Sequence, residues 1–219
     1  MRVVGIDLSG TSNHKDTVLT VFEVQNSQLG FVKIRSNMSD EEILKEIFEQ
    51  AQLDEVVIGI DAPLSYEDGG GDRESDRALR KYIVEIGMKS SSIMPPTLNR
   101  MVYLTLRGIR LSREIESQVY KNPVSIVEVH PGAVVGSRLS SIEKDYVLTY
   151  KQDLNVRKIL LSWLEDQQLI GVPDTVADFS HSFDSCIAAL GAWHWKDNEF
   201  APKWIFPAKP PLHPYDFCC

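Results

Sequence analysis

The sequence predicts an α/β fold with a mixed central sheet, three antiparallel strands followed by parallel strands, flanked by helices. Three observations lead there. Residues 3–12 (VVGIDLSGTS) are a β-branched run broken by glycine and serine, the mark of a buried strand that stops at a turn. Residues 17–24 (TVLTVFEV) and 29–34 (LGFVKI) flank the polar turn Gln25-Asn26-Ser27-Gln28 and complete an antiparallel meander. Residues 56–63 (VVIGIDAP) form a further apolar strand, stopped by Pro63, and a helix between it and the meander provides the crossover that a parallel strand requires.

Ser39 and Glu42 have the spacing of a capping box and start that helix, which runs to about Gln50 with Ile43, Leu44, Ile47 and Phe48 inward. Residues 65–72 (SYEDGGGD) are too glycine-rich for regular structure and read as a mobile flap beside the end of the Asp61 strand. Helical patterns at 72–86 and 97–119 are separated by the proline-containing stretch 89–96 (KSSSIMPP). Residues 124–131 (VSIVEVHP) make another strand, and helical periodicity returns at 153–168 and 181–195, on either side of the turn Gly171-Val172-Pro173-Asp174. Residues 204–206 suit a short edge strand, residues 207–214 (PAKPPLHP) should be irregular, and Cys218-Cys219 should be a frayed tail. With no internal repeat and no linker, residues 1–219 read as a single domain with helical insertions over about 65–122 and 132–170.

The 219 residues, 43% of them hydrophobic, suffice for one sizeable core. A formal net charge of -8 argues against a broad basic surface, so any nucleic-acid contact should be local. No apolar run approaches the roughly 18 residues that cross a bilayer, and the chain enters a strand directly, so a cytoplasmic protein without membrane partners is expected. Three cysteines, one in a helical pattern and two adjacent at the end, make neither a disulfide framework nor a CxxC zinc site.

Asp7, Asp61 and Glu128 sit at or beside the C-terminal ends of apolar strands, where open α/β sheets bind ligands. His181 and Asp184 stand one turn apart on the late helix, whose small residues Ser185, Ala188 and Ala189 would let it lie close against the sheet. Four acids meeting at one sheet edge need relief by bound cations or by raised pKa values. Oxygen-only ligation favours Mg²⁺ or Mn²⁺, and two ions roughly 3.5–4 Å apart suit phosphodiester hydrolysis.

The ordered set GIDLSG, IGIDAPLS, DRALRKYIVEIG with MPPTLNRM, VEVHPGAVV and FDSCIAALGAW resembles a family of predicted RNase H-like nucleases, domain of unknown function 429, over nearly the whole chain. The order of elements likewise resembles the RNase H-like fold, and His181-x-x-Asp184 is similar to the histidine and aspartate pair on the final helix of RuvC-type nucleases. The resemblance implies a metal-dependent nuclease or phosphodiesterase that hydrolyses nucleic acid with two metal ions. It implies Asp7, Asp61 and Asp184 as principal ligands, Glu128 as a fourth, His181 as a ligand or proton shuttle, and Arg77, Arg80 or Arg100 on phosphate. Gly132 departs from the family pattern, which often has an acidic residue after the His-Pro pair.

Other readings compete. A non-catalytic RNase H-like module would bind a protein or a nucleic-acid structure. Asp7-Leu8-Ser9-Gly10-Thr11 also resembles the first phosphate loop of actin-like and sugar-kinase ATPases, which need a duplicated second domain for which 219 residues leave little room. Single residues have simpler roles too. Asp7 suits an Asx-turn or helix cap, Glu128 an arginine partner, His130 a hydrogen-bonded strand end, and Asp178 the cap of the helix holding His181. Asp72-Arg73-Glu74-Ser75-Asp76 reads as a solvated helix start, and Trp193 and Trp195 as packing against the core or the C-terminal segment.

Overall fold

The computed structural model describes every residue of the chain except Asn198. In chain order the elements are β1 (Arg2–Asp7), β2 (Val18–Gln25), β3 (Gln28–Ser36), α1 (Asp40–Leu53), β4 (Val56–Asp61), α2 (Glu74–Glu85), α3 (Val102–Ser117), β5 (Val124–Val129), α4 (Pro131–Gly136), α5 (Lys144–Thr149), α6 (Leu154–Asp166), β6 (Leu169–Ile170), α7 (Ser180–Lys196), β7 (Ile205–Phe206) and β8 (Phe217–Cys218). They build a mixed α/β architecture around one eight-stranded sheet in the order β6-β3-β2-β1-β4-β5-β8-β7. β1 pairs antiparallel with β2 and parallel with β4, and β4 pairs parallel with β5.

Strand periodicity divides the core. Alternate side chains leave a strand on opposite faces, so Val4 and Ile6 join Val56, Ile58 and Ile60 against Ile43 and Ile47 of α1 and Leu111 and Ile115 of α3. Val3 and Val57 face the other way, into the cluster that holds Phe183, Ile187 and Leu190 of α7. Gly5 and Gly59 are register partners between Val3 and Asp7 and between Val57 and Asp61. A Cβ on Gly5 would overlap the Ser185 carbonyl oxygen, and one on Gly59 would overlap that of Ala188. Two glycines on the sheet and the small residues of α7 thus let helix and strands touch backbone to backbone. That contact puts the first turn of α7 beside the C-terminal ends of β1 and β4.

The Ser39–Glu42 capping box forms, with the Ser39 hydroxyl accepting from the Glu42 N–H and the Glu42 carboxylate from the Ser39 N–H. Several expectations need correction. The chain end is neither frayed nor wholly irregular: β8 adds parallel to β5, β7 adds antiparallel to β8, and Cys218 and Cys219 are fully buried. A single apolar turn of chain carries no periodicity to announce a strand, and the burial of Phe217 and Cys218 beside α7 and β5 makes it one. Phe179, not Asp178, occupies the N-cap position of α7, and it makes no side-chain cap. The segment at residues 72–76 is solvated only in part, since Glu74 is exposed but Arg73, Ser75 and Asp76 are buried. The short helices α4 and α5 fall within the helical insertion expected over about 132–170, while β6 lies where no strand was expected, and each is too brief to show a periodic pattern of its own. Among the described residues no helix is long and apolar enough to cross a membrane.

Candidate functional site

A cleft of about 280 Å³ opens at the C-terminal ends of β1, β4 and β5, and Asp7, Asp61, Glu128, His130, Lys151 and His181 line it. Asp7 and Asp61 are register partners on adjacent parallel strands, on the face that α7 covers. Both carboxyls are held above the usual carboxylate range. Burial pushes Asp7 up to about 6, the Asp184 charge adds to the rise, and the hydrogen bond from His181 opposes it. Burial likewise raises Asp61 well above the ordinary value, followed by repulsion from Asp7. The Asp61 carboxylate has no hydrogen-bond or ion-pair partner among the described residues.

The first turn of α7 adds two groups. His181 Nδ1 lies 2.8 Å from Asp7 Oδ2, and that bond raises the imidazole above its ordinary value. Donation from Nδ1 leaves Nε2 as the nitrogen without a partner among the described residues. Asp184 is 2% exposed and spoken for at both oxygens. The Tyr150 hydroxyl donates to Oδ1 at 2.7 Å, and the Lys151 ammonium lies 2.9 Å from Oδ2. The acid in turn holds the Lys151 ammonium well above its usual pKa.

Glu128 belongs to a different arrangement. In the β4–β5 register it pairs with Ile60, one residue out of step with Asp61, so its side chain leaves the opposite face of the sheet from Asp7 and Asp61. There Arg73 grips it bidentately, Nη1 to Oε2 at 2.7 Å and Nη2 to Oε1 at 2.5 Å, while the Leu64 N–H donates to Oε2 at 2.9 Å. Arg73 also donates to Asp76 from Nε and Nη2 and lies over the Phe217 ring. Glu128 thus takes the arginine-paired role, and its oxygens are fully engaged. His130 caps α4 by accepting the Ala133 N–H at Nδ1, and its Nε2 donates to the Ser92 carbonyl. These bonds leave it a neutral ring with both nitrogens used, and burial holds its pKa below the ordinary value.

The three arginines expected on phosphate do not line the cleft. Arg80 is bound to the Asp72 carboxylate and Arg77 to the Asp72 carbonyl, while Arg100 lies exposed on the surface. Sequence reasoning missed Arg73, Tyr150 and Lys151. For Arg73 the signal was available, because Arg73 and Asp76 have capping-box spacing and the Asp76 carboxylate does accept the Arg73 N–H. For Lys151, within the polar run Thr149-Tyr150-Lys151-Gln152, no local signal exists.

The model of the family described as "Protein of unknown function (DUF429)" matches residues 5–210, a span that includes Asp7, Asp61, Lys151, His181 and Asp184. The chain belongs to this family. No curated protein and no solved structure matches it. Within this family member the donor chemistry at Asp7 and Asp61 fits a hard divalent ion: the oxygens are carboxylate only, one side chain has no hydrogen-bond partner, and His181 and Lys151 relieve their charges only in part. Among the described residues, however, no three His, Cys, Asp or Glu side chains stand together as a ready-made ion cage.

Proposed function

We propose that the chain is a metal-dependent phosphodiester hydrolase, a nuclease of RNase H-like fold, with Mg²⁺ or Mn²⁺ held by Asp7 and Asp61 beside Asp184. The observation that carries the reading is the registered pair of carboxylates with raised pKa values at two parallel strand ends, one of them unpartnered. The strand order β3-β2-β1-β4-β5, with β4 and β5 parallel to β1 and β2 antiparallel to it, supports the RNase H-like assignment.

A divalent ion in this place supplies positive charge that polarises a phosphate and acidifies water. The chain's own groups supply the rest. Asp7 orients the His181 ring through Nδ1, which leaves Nε2 to accept a proton from water and return it to the leaving oxygen. Tyr150 and Lys151 hold Asp184 in one orientation. Ile93, Met94, Met101 and Leu104 give the cleft an apolar wall suited to the sugar and base beside a phosphate. An acidic chain that binds nucleic acid through one such cleft makes only local contact with its substrate.

The phosphotransferase reading draws less support from its loop. Ser9 Oγ bonds Thr17 Oγ1 at 2.6 Å and the Asn13 carbonyl, and the buried Arg107 closes the turn by donating to the Ser9 carbonyl at 2.9 Å. Those groups are not available to cradle a phosphate.

The test is hydrolysis of single-stranded, duplex and branched oligonucleotides with Mg²⁺ or Mn²⁺, alongside calorimetric titration of each ion. Turnover should fall by about 10²-fold or more in Asp61→Asn, the scale seen when one preorganised charge-stabilising group is lost. No ion uptake and no turnover on any substrate would overturn the proposal and leave a non-catalytic binding module.

A further inference from the structure

Resting on that reading, we infer that the ammonium of Lys151 takes the place of a second divalent ion, so that the cleft binds one ion and not two. Of the four acids near the strand ends, Glu128 has both oxygens gripped by Arg73, on the far face of the sheet. Asp184 has both oxygens engaged, Oδ1 by the Tyr150 hydroxyl at 2.7 Å and Oδ2 by Lys151 Nζ at 2.9 Å. Asp7 gives Oδ2 to His181. What remains for a metal is the other oxygen of Asp7 and both of Asp61, a donor set for one ion.

Lys151 is placed as a resident cation. Its ammonium touches Asp184, and its charge also acts on Asp7 and Asp61. The stem runs past the Tyr150 ring, with Nζ 5.9 Å from the ring centroid. Tyr150 is itself fixed, buried against Phe183, and Arg157 ties the Tyr150 carbonyl to α6 with a 2.6 Å bond. The lysine therefore projects from an anchored point on the chain. A divalent ion entering between Asp184 and Asp61 would meet this like charge at short range and be repelled. A lysine carries its charge on a single compact ammonium, which suits the replacement of an ion better than arginine's broad fork.

The experiment counts bound Mn²⁺ by titration calorimetry and by the loss of the free-ion paramagnetic resonance signal, both of which are independent of turnover. Wild type should bind one Mn²⁺ at the site, Lys151→Met should bind two, and Lys151→Arg, which keeps the charge, should bind one. Lys151 has a half-exposed side chain, so its replacement opens no cavity in the core, and circular dichroism of each variant verifies that it folds. Two ions in wild type, or one ion in Lys151→Met, would overturn the inference while leaving the hydrolase proposal standing. No ion in either protein would overturn both.

Discussion

Two acid clusters lie at the same end of the same sheet and are built on opposite plans. On one face Glu128 and Asp76 share the buried Arg73, with every guanidinium nitrogen bonded to at least one carboxylate. On the other, Asp7, Asp61 and Asp184 share only Lys151 and a histidine, and two of the three carboxyls are held above their ordinary range. A buried charge that is matched and bonded is a structural part, whereas one left unmatched stores unfavourable energy that an incoming cation can relieve. The difference separates two kinds of aspartate and glutamate that look alike at strand ends, and it locates chemistry on the α7 face.

Removing the arginine should have the largest effect. Arg73→Ala leaves Glu128 and Asp76 buried without a counter-charge and should cost about 3–5 kcal/mol in urea unfolding. Asp61→Asn should do the reverse on the other face, abolishing ion uptake while leaving stability equal to or above wild type, because it removes repulsion from Asp7.

A pH series sharpens the contrast. The Asp7 carboxyl rises from 3.8 to about 6 and the His181 imidazole rises also, so the folded state holds both protons more tightly than the unfolded chain. Their contribution is fully present below the unfolded values and is lost as pH climbs through the folded ones. The stability of Asp7→Asn relative to wild type should therefore grow between about pH 4 and 7, on the order of 2 kcal/mol in total, and saturating Mn²⁺ should reduce that gap. A flat difference across this range would mean that Asp7 is matched after all. The smallest effect belongs to Tyr150→Phe, which removes one hydrogen bond to Asp184 and should cost about 1 kcal/mol in thermal unfolding.

Much of this was open to reading along the chain. Apolar runs ending in Asp7 and Asp61, the capping box at Ser39 and the small face of α7 each depend on neighbours within a few residues, and local pattern carries that information. The parity of Glu128 was also legible in principle: Val127 and Val129 are the apolar partners of its strand that share the α7 face, which sends Glu128 the other way. Its partner was not, because Arg73 lies 55 residues away. Cys218 and Cys219 misled for a related reason, since two residues have no period until a neighbouring strand supplies the register.

By itself, then, the sequence determined the α/β class, the order of its main strands and helices, and the two strands that end in aspartate, because hydrophobic period and turn chemistry are short-range properties. The tertiary structure alone decided which acids are neutralised. Lys151, Tyr150 and Arg73 reach their carboxylates only after the chain has closed over 33, 34 and 55 residues, and charge in a protein is balanced by distance in space, which sequence separation does not record.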